Sequence, residues 1–181
     1  MNYQLILEEI EKEIQPFLNE GKLANYIPAL ASVDDKKFAM SIHLFDGTSY
    51  HIGDSSLKFS IQSISKVFTF TLALNYYGKD LYTRVGHEPS GDPFNSLIQL
   101  EYENGIPRNP FINAGALVTA DSLISIYKKN TFDTILDFIK KTSNDKTITY
   151  DEEIFKSELA HGFRNFALIN MIKSFNNFVF L

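Results

Sequence analysis

A serine and a lysine three residues apart can make a nucleophile and its base, because burial lowers a lysine pKa and leaves a neutral amine able to take the serine proton. The spacing occurs at Ser55/Lys58, Ser63/Lys66, Ser125/Lys128 and Ser143/Lys146. Such repetition makes spacing alone weak. Ser55 stands in a polar connection, Ser143 precedes the NDK loop, and Lys128 adjoins Lys129 at an expected helix end, where the dipole favours cations. Ser63 and Lys66 instead open the apolar stretch FSIQSISKVFTFTLAL. In a first helical turn the serine meets unpaired backbone N–H groups, and the i to i+3 spacing puts the lysine on the same face. The residues fit equally a serine that caps the helix and a lysine that snorkels to water along its methylenes.

Other side chains admit two readings each. Asn113 follows Pro110-Phe111-Ile112 and either caps a helix through the backbone of Gly115 or Ala116, or presents its amide to a polar ligand. Glu158 and Asn165 flank Gly162 in SELAHGFRN, where a solvated glutamate and a second cap are the ordinary roles. Tyr26 precedes Ile27-Pro28 and fits a packed aromatic with its hydroxyl satisfied. The four histidines are scattered without metal-ligand spacing, and no metal site is expected.

These residues need a scaffold. Leu7, Ile10, Ile14 and Phe17 recur at helical spacing and predict an amphipathic helix over residues 2 to 19, ended by Gly21. Phe38 to Leu44 alternates apolar and small or polar residues, and Asp46-Gly47 turns the chain into Ser49 to Ile52, which predicts an antiparallel hairpin. Gln62 to Tyr77 is apolar on nearly every side, so this helix is expected to be buried on most faces and to stop at Gly78. Residues 86 to 110 contain Pro89, Pro93, Pro107 and Pro110 and predict a long shaped loop of the kind that borders sites. Helices are expected over 113–129, 131–141, 151–158 and 164–173. The result is an α+β pattern with segregated parts.

Composition bounds the function. The 181 residues are 44% hydrophobic, enough for a packed core of about one domain, with a net charge of −5. Three arginines and no basic run argue against nucleic acid as a partner. The absence of cysteine excludes disulfides and a thiol nucleophile and fits a reducing cytoplasm. Neither a signal peptide nor a membrane anchor is expected, since the N-terminal apolar pattern is interrupted by glutamates and Val67 to Tyr77 is too short to span a bilayer.

Taken in order, NYIPALA, FSIQSISKVF, GHEPSGDPFNS, PRNPFINAGAL and SELAHGFRNFAL resemble the serine-dependent glutaminases, whose fold resembles that of β-lactamases and DD-peptidases. The resemblance covers almost the whole chain. It implies one α+β domain over 1–181, with 1–78 in an α/β part and 79–181 mostly helical. It implies Ser63 as nucleophile, Lys66 as base, Tyr26 lining the pocket and helping to move protons, and Asn113, Glu158 and Asn165 contacting the amino-acid end of L-glutamine, with no cofactor. Cytoplasmic homotetramers are the form it implies. Family members are longer, so it also implies that later pocket tyrosines, an oxyanion-hole amide and C-terminal strands lie outside this sequence, and that the chain alone is impaired or inactive. Two other functions remain open: a non-catalytic remnant that binds glutamine weakly or associates with relatives, and a penicillin-interacting serine hydrolase.

Overall fold

The computed structural model describes residues 1–180. In chain order its elements are α1 (Tyr3–Ile14), α2 (Pro28–Ala31), β1 (Ala39–His43), β2 (Ser49–Gly53), α3 (Ser65–Tyr77), α4 (Ile98–Tyr102), α5 (Asn113–Tyr127), α6 (Thr131–Ser143), α7 (Glu152–His161) and α8 (Phe163–Ser174), with short 3₁₀ turns between several of them. The architecture is α+β. Packing divides the chain into two compact units: residues 1–60 with 152–161, and residues 61–151 with 162–181.

In the first unit, Asn2 caps α1 by accepting the Leu5 N–H at 3.2 Å, and Leu7 is buried on the helix's apolar side. The helix stops at Ile14, short of the expected residue 19. Pro16 is the reason: it has no N–H to donate and its ring would clash with the carbonyl four residues back, so Gln15–Phe17 tighten into a 3₁₀ turn. Strands β1 and β2 pair antiparallel, His43 opposite Ser49 and Ala39 opposite Gly53. At the turn, Gly47 takes a φ of 89° and Asp46 Oδ1 accepts the Thr48 N–H at 2.9 Å. One hairpin face carries Met40, Ile42, Tyr50 and Ile52, and α1 packs on β2 with the Tyr3 and Tyr50 rings 5.6 Å apart. The other face is exposed and carries two cross-strand pairs, Ser41 with His51 at 3.0 Å and His43 with Ser49 at 2.6 Å. Helices α2 and α7 also meet, the Ala29 N–H donating to Ser157 Oγ at 3.2 Å.

The second unit is built around α5, whose buried residues include Ala114, Gly115, Val118, Ser122 and Leu123. Its small side chains let α3, α6 and α8 approach, and the core adds Leu72, Ala73, Leu81, Val85, Leu100, Leu168 and Ile172. Polar groups within α5 are satisfied locally, Thr119 Oγ1 donating to Gly115 O and Ser122 Oγ to Val118 O. Asp121 is fully buried at its side chain and pairs with Arg84 at 2.6 Å. Its carboxylate also accepts the Val179 and Phe180 N–H groups, each at 3.0 Å. Arg84 further donates to Ser122 Oγ and the Asn177 carbonyl, and Asn177 Nδ2 donates to the carbonyls of Arg84 and Gly105. Among the described residues every buried side-chain nitrogen or oxygen has a hydrogen-bond partner.

Helix α3 is not covered on most sides as its composition predicts. It packs on α5 and α6 and buries Leu72 and Ala73, while Val67 stays 50% exposed and Tyr76 61%. The small-residue helix α5, not the bulkier α3, is the enclosed one. The stop at Gly78 holds, with φ 55°. Loop 86–110 contains α4 as its one α-helix, and its two ends are clipped together: Gly86 N–H donates to Pro107 O at 2.7 Å and Glu88 N–H to Arg108 O at 3.0 Å. A Cβ on Gly86 would lie 2.6 Å from Arg108 O, so the close approach requires glycine.

Candidate active site

Ser63 lies in a 3₁₀ turn, Gln62–Ile64, that leads into α3 at Ser65. The residue before it, Gln62, has φ 43°, a left-handed conformation that a non-glycine residue holds only at a cost of about 1–3 kcal/mol. The chain therefore bends sharply before Ser63 and leaves its side chain exposed at the head of the helix. The hydroxyl makes no hydrogen bond to another described residue, so it does not cap α3. Two of the other three serines of the pattern differ: Ser125 Oγ donates to Asp121 O and Ser143 Oγ to Ile139 O, each inside its own helix.

Lys66, in the first turn of α3, does not snorkel away from the protein. Its Nζ donates to the Phe111 carbonyl at 2.9 Å and to Asn113 Oδ1 at 2.8 Å, and it lies 5.9 Å from the centre of the Phe94 ring. Burial lowers its pKa below the ordinary lysine value, because desolvation penalises the ammonium and both acceptors are neutral. A neutral amine has two hydrogens and one lone pair. In that form these two acceptors would take both hydrogens and leave the lone pair to accept a proton.

Asn113 is the first residue of α5 and not its cap. The cap position is Ile112, and the Asn113 amide faces the site instead of the Gly115 or Ala116 backbone. Its Oδ1 takes the Lys66 hydrogen bond, and its Nδ2 donates to Asn165 Oδ1 at 3.0 Å. Asn165 is exposed near the start of α8, where it is not a cap either, that position being Gly162. Among the described residues no acceptor engages Asn165 Nδ2, which leaves two N–H donors for a ligand. Gly162 has φ −77°, so the bend between α7 and α8 does not use a conformation reserved for glycine.

The second unit thus links Lys66, Asn113 and Asn165 by hydrogen bonds, with Ser63 one turn before Lys66. Tyr26 and Glu158 belong to the first unit: Tyr26 is 64% exposed just before α2, and Glu158 is half-buried on α7. Two contributors escaped the sequence reading, the Phe111 carbonyl and the Phe94 ring. A backbone carbonyl carries no residue signature, and Phe94 was visible only as part of GDPFNS.

Comparison with known proteins identifies the family. The Glutaminase family profile matches residues 21–180. A glutaminase of Aliarcobacter butzleri (strain RM4018) is 74% identical over 177 residues, which cover 98% of this chain and 58% of that protein. The solved structure of a probable glutaminase from Bacillus subtilis superposes with TM-score 0.86 at 34% identity, over 98% of this chain and 54% of that one. A structure of a probable Bacillus subtilis glutaminase complexed with 6-diazo-5-oxo-L-norleucine gives TM-score 0.81 at 32% identity, over 98% and 54%. The chain belongs to the glutaminase family. It spans 58% of the length of the Aliarcobacter relative.

Proposed function

We propose that this chain carries the acylating half of a glutaminase site, hydrolysing L-glutamine to L-glutamate and ammonia. The observation that carries the reading is the environment of Lys66: a half-buried amine with its pKa lowered by burial, donating to Phe111 O and Asn113 Oδ1, one turn after an exposed serine. Ser63 Oγ attacks the side-chain amide carbon while Lys66 Nζ takes the hydroxyl proton. The C–N bond then breaks, the proton passes to the leaving nitrogen, and ammonia departs from a γ-glutamyl ester. Water cleaves that ester, returning the Ser63 hydroxyl and releasing glutamate.

Asn113 and Asn165 supply amide donors and acceptors suited to the amino-acid end of the substrate, and Glu158 is a suitable partner for its ammonium. Tyr26 is assigned to the pocket lining and proton movement. The relative complexed with 6-diazo-5-oxo-L-norleucine supports the substrate class, since that molecule is an α-amino acid with a diazoketone where glutamine has its amide. Cytoplasmic location is supported by the cysteine-free composition. A homotetramer rests on family resemblance. Among the described residues, no helix is long and apolar enough to cross a membrane.

The test uses the 181-residue chain with L-glutamine and, separately, with 6-diazo-5-oxo-L-norleucine. A covalent mass increase on the Ser63 peptide is expected with 6-diazo-5-oxo-L-norleucine, with ammonia release well below that of full-length relatives, and Ser63→Ala is expected to abolish both. Labelling that persists in Ser63→Ala removes Ser63 as the nucleophile.

A further inference from the structure

The acceptors that hold Lys66 are themselves held. Asn109 Oδ1 accepts the Phe111 N–H at 3.0 Å and the Ile112 N–H at 3.1 Å, while Asn109 Nδ2 donates to the Glu88 carbonyl at 2.9 Å. The Ile112 N–H belongs to the same peptide unit as the Phe111 carbonyl. In a planar trans peptide the N–H and C=O point in opposite directions, so gripping the one aims the other. The Phe111 carbonyl so aimed is the one that receives Lys66 Nζ at 2.9 Å, and the next residue, Asn113, supplies the second acceptor. Asn109 is also seated closely: a Cβ on Gly115 would lie 1.9 Å from Asn109 O, so only a glycine in the first turn of α5 admits this backbone path.

We propose that Asn109 is a positioning residue of the site, its side-chain amide orienting the Phe111–Ile112 peptide and Asn113 so that together they hold the Lys66 amine. It touches no reacting atom and acts through Lys66. Its side chain spans two structures at once, tying loop residue Glu88 to the turn that opens α5. The value of such an arrangement to catalysis rests on the glutaminase reading, but the arrangement itself does not.

The experiment follows the Lys66 side chain of the 181-residue chain by NMR titration, with amide hydrogen exchange at Phe111 and Ile112, in wild type, Asn109→Ala and Asn109→Ser. A serine hydroxyl can accept the same backbone N–H groups in a similar turn, and alanine cannot. In Asn109→Ala the two amides are expected to exchange faster and Lys66 to titrate at higher pH than in wild type, as it gains water. Asn109→Ser is expected to restore both toward wild type. Unchanged Lys66 titration in folded Asn109→Ala overturns the proposal. Should that variant not fold, wild-type Phe111 and Ile112 amides exchanging as fast as open-loop amides overturn it equally, and slow exchange there with wild-type-like titration in Asn109→Ser upholds it. Failure of wild type to react with 6-diazo-5-oxo-L-norleucine would sink the glutaminase reading of this chain and leave the Lys66 comparison to decide Asn109 alone.

Discussion

Asp121→Ala is the substitution that best measures what holds the helical unit together. The carboxylate is completely shielded from solvent and accepts from Arg84 at 2.6 Å and from the Val179 and Phe180 amides at 3.0 Å each. Removing one partner of a buried ion pair costs about 3–5 kcal/mol, since the other charge is left without compensation. Two features place this case at the lower end. The Arg84 side chain keeps 19% of its exposure and retains Ser122 Oγ and the Asn177 carbonyl as acceptors. Val179 and Phe180 are exposed, so their freed N–H groups can turn to water. The expected loss is about 3 kcal/mol, a large part of the roughly 5–15 kcal/mol that holds a typical domain folded. Asp121→Asn keeps an acceptor oxygen and is expected to lose about half as much. Urea unfolding of wild type, both variants, Arg84→Ala and the double variant Arg84→Ala/Asp121→Ala gives the coupling directly. A loss below about 1 kcal/mol in Asp121→Ala, or additive single losses, would refute the claim that this pair anchors residues 177–180 to α5.

Two further substitutions probe the site from opposite sides. The folded chain lowers the Lys66 pKa below 10.5, so between that lowered value and 10.5 the unfolded chain binds more protons at this position and the group's contribution to stability rises with pH. Urea midpoints of Lys66→Met relative to wild type are therefore expected to lose that rise, and a difference that does not change with pH, or changes with the opposite sign, contradicts the burial of the amine. Gly115→Ala places a Cβ 1.9 Å from Asn109 O and 2.7 Å from its carbonyl carbon, backbone atoms that cannot step aside cheaply. A loss of about 1–3 kcal/mol by thermal or urea unfolding is expected, and wild-type stability would show that the turn before α5 yields freely.

What could be read beforehand was local. The Asp46-Gly47 turn, the alternation of Met40 and Ile42 with Ser41 and His43, and the stop at Gly78 follow from backbone preference and short-range periodicity, and each stands in the structure. Pro16 was as visible as Gly21, but the apolar repeat running through Phe17 hid its effect on α1. The enclosure of α5 over α3 was illegible, because hydrophobicity counts apolar side chains while close approach of helices depends on small ones such as Gly115 and Ser122. The role of Asn113 was illegible for another reason. Its partners are 47 residues upstream and 52 downstream, and a residue placed where caps occur gives no sign that its amide will turn elsewhere. Ser63 and Lys66 stood out only by contrast with three other copies of their spacing.

The outward face of the hairpin pairs each imidazole with an alcohol, Ser41 against His51 and Ser49 against His43. An alcohol oxygen can both give and receive a hydrogen bond, so each rung can be kept by a rotation about one C–O bond whichever way the ring nitrogen is protonated. Either ring can therefore exchange one tautomer for the other without the two strands having to part.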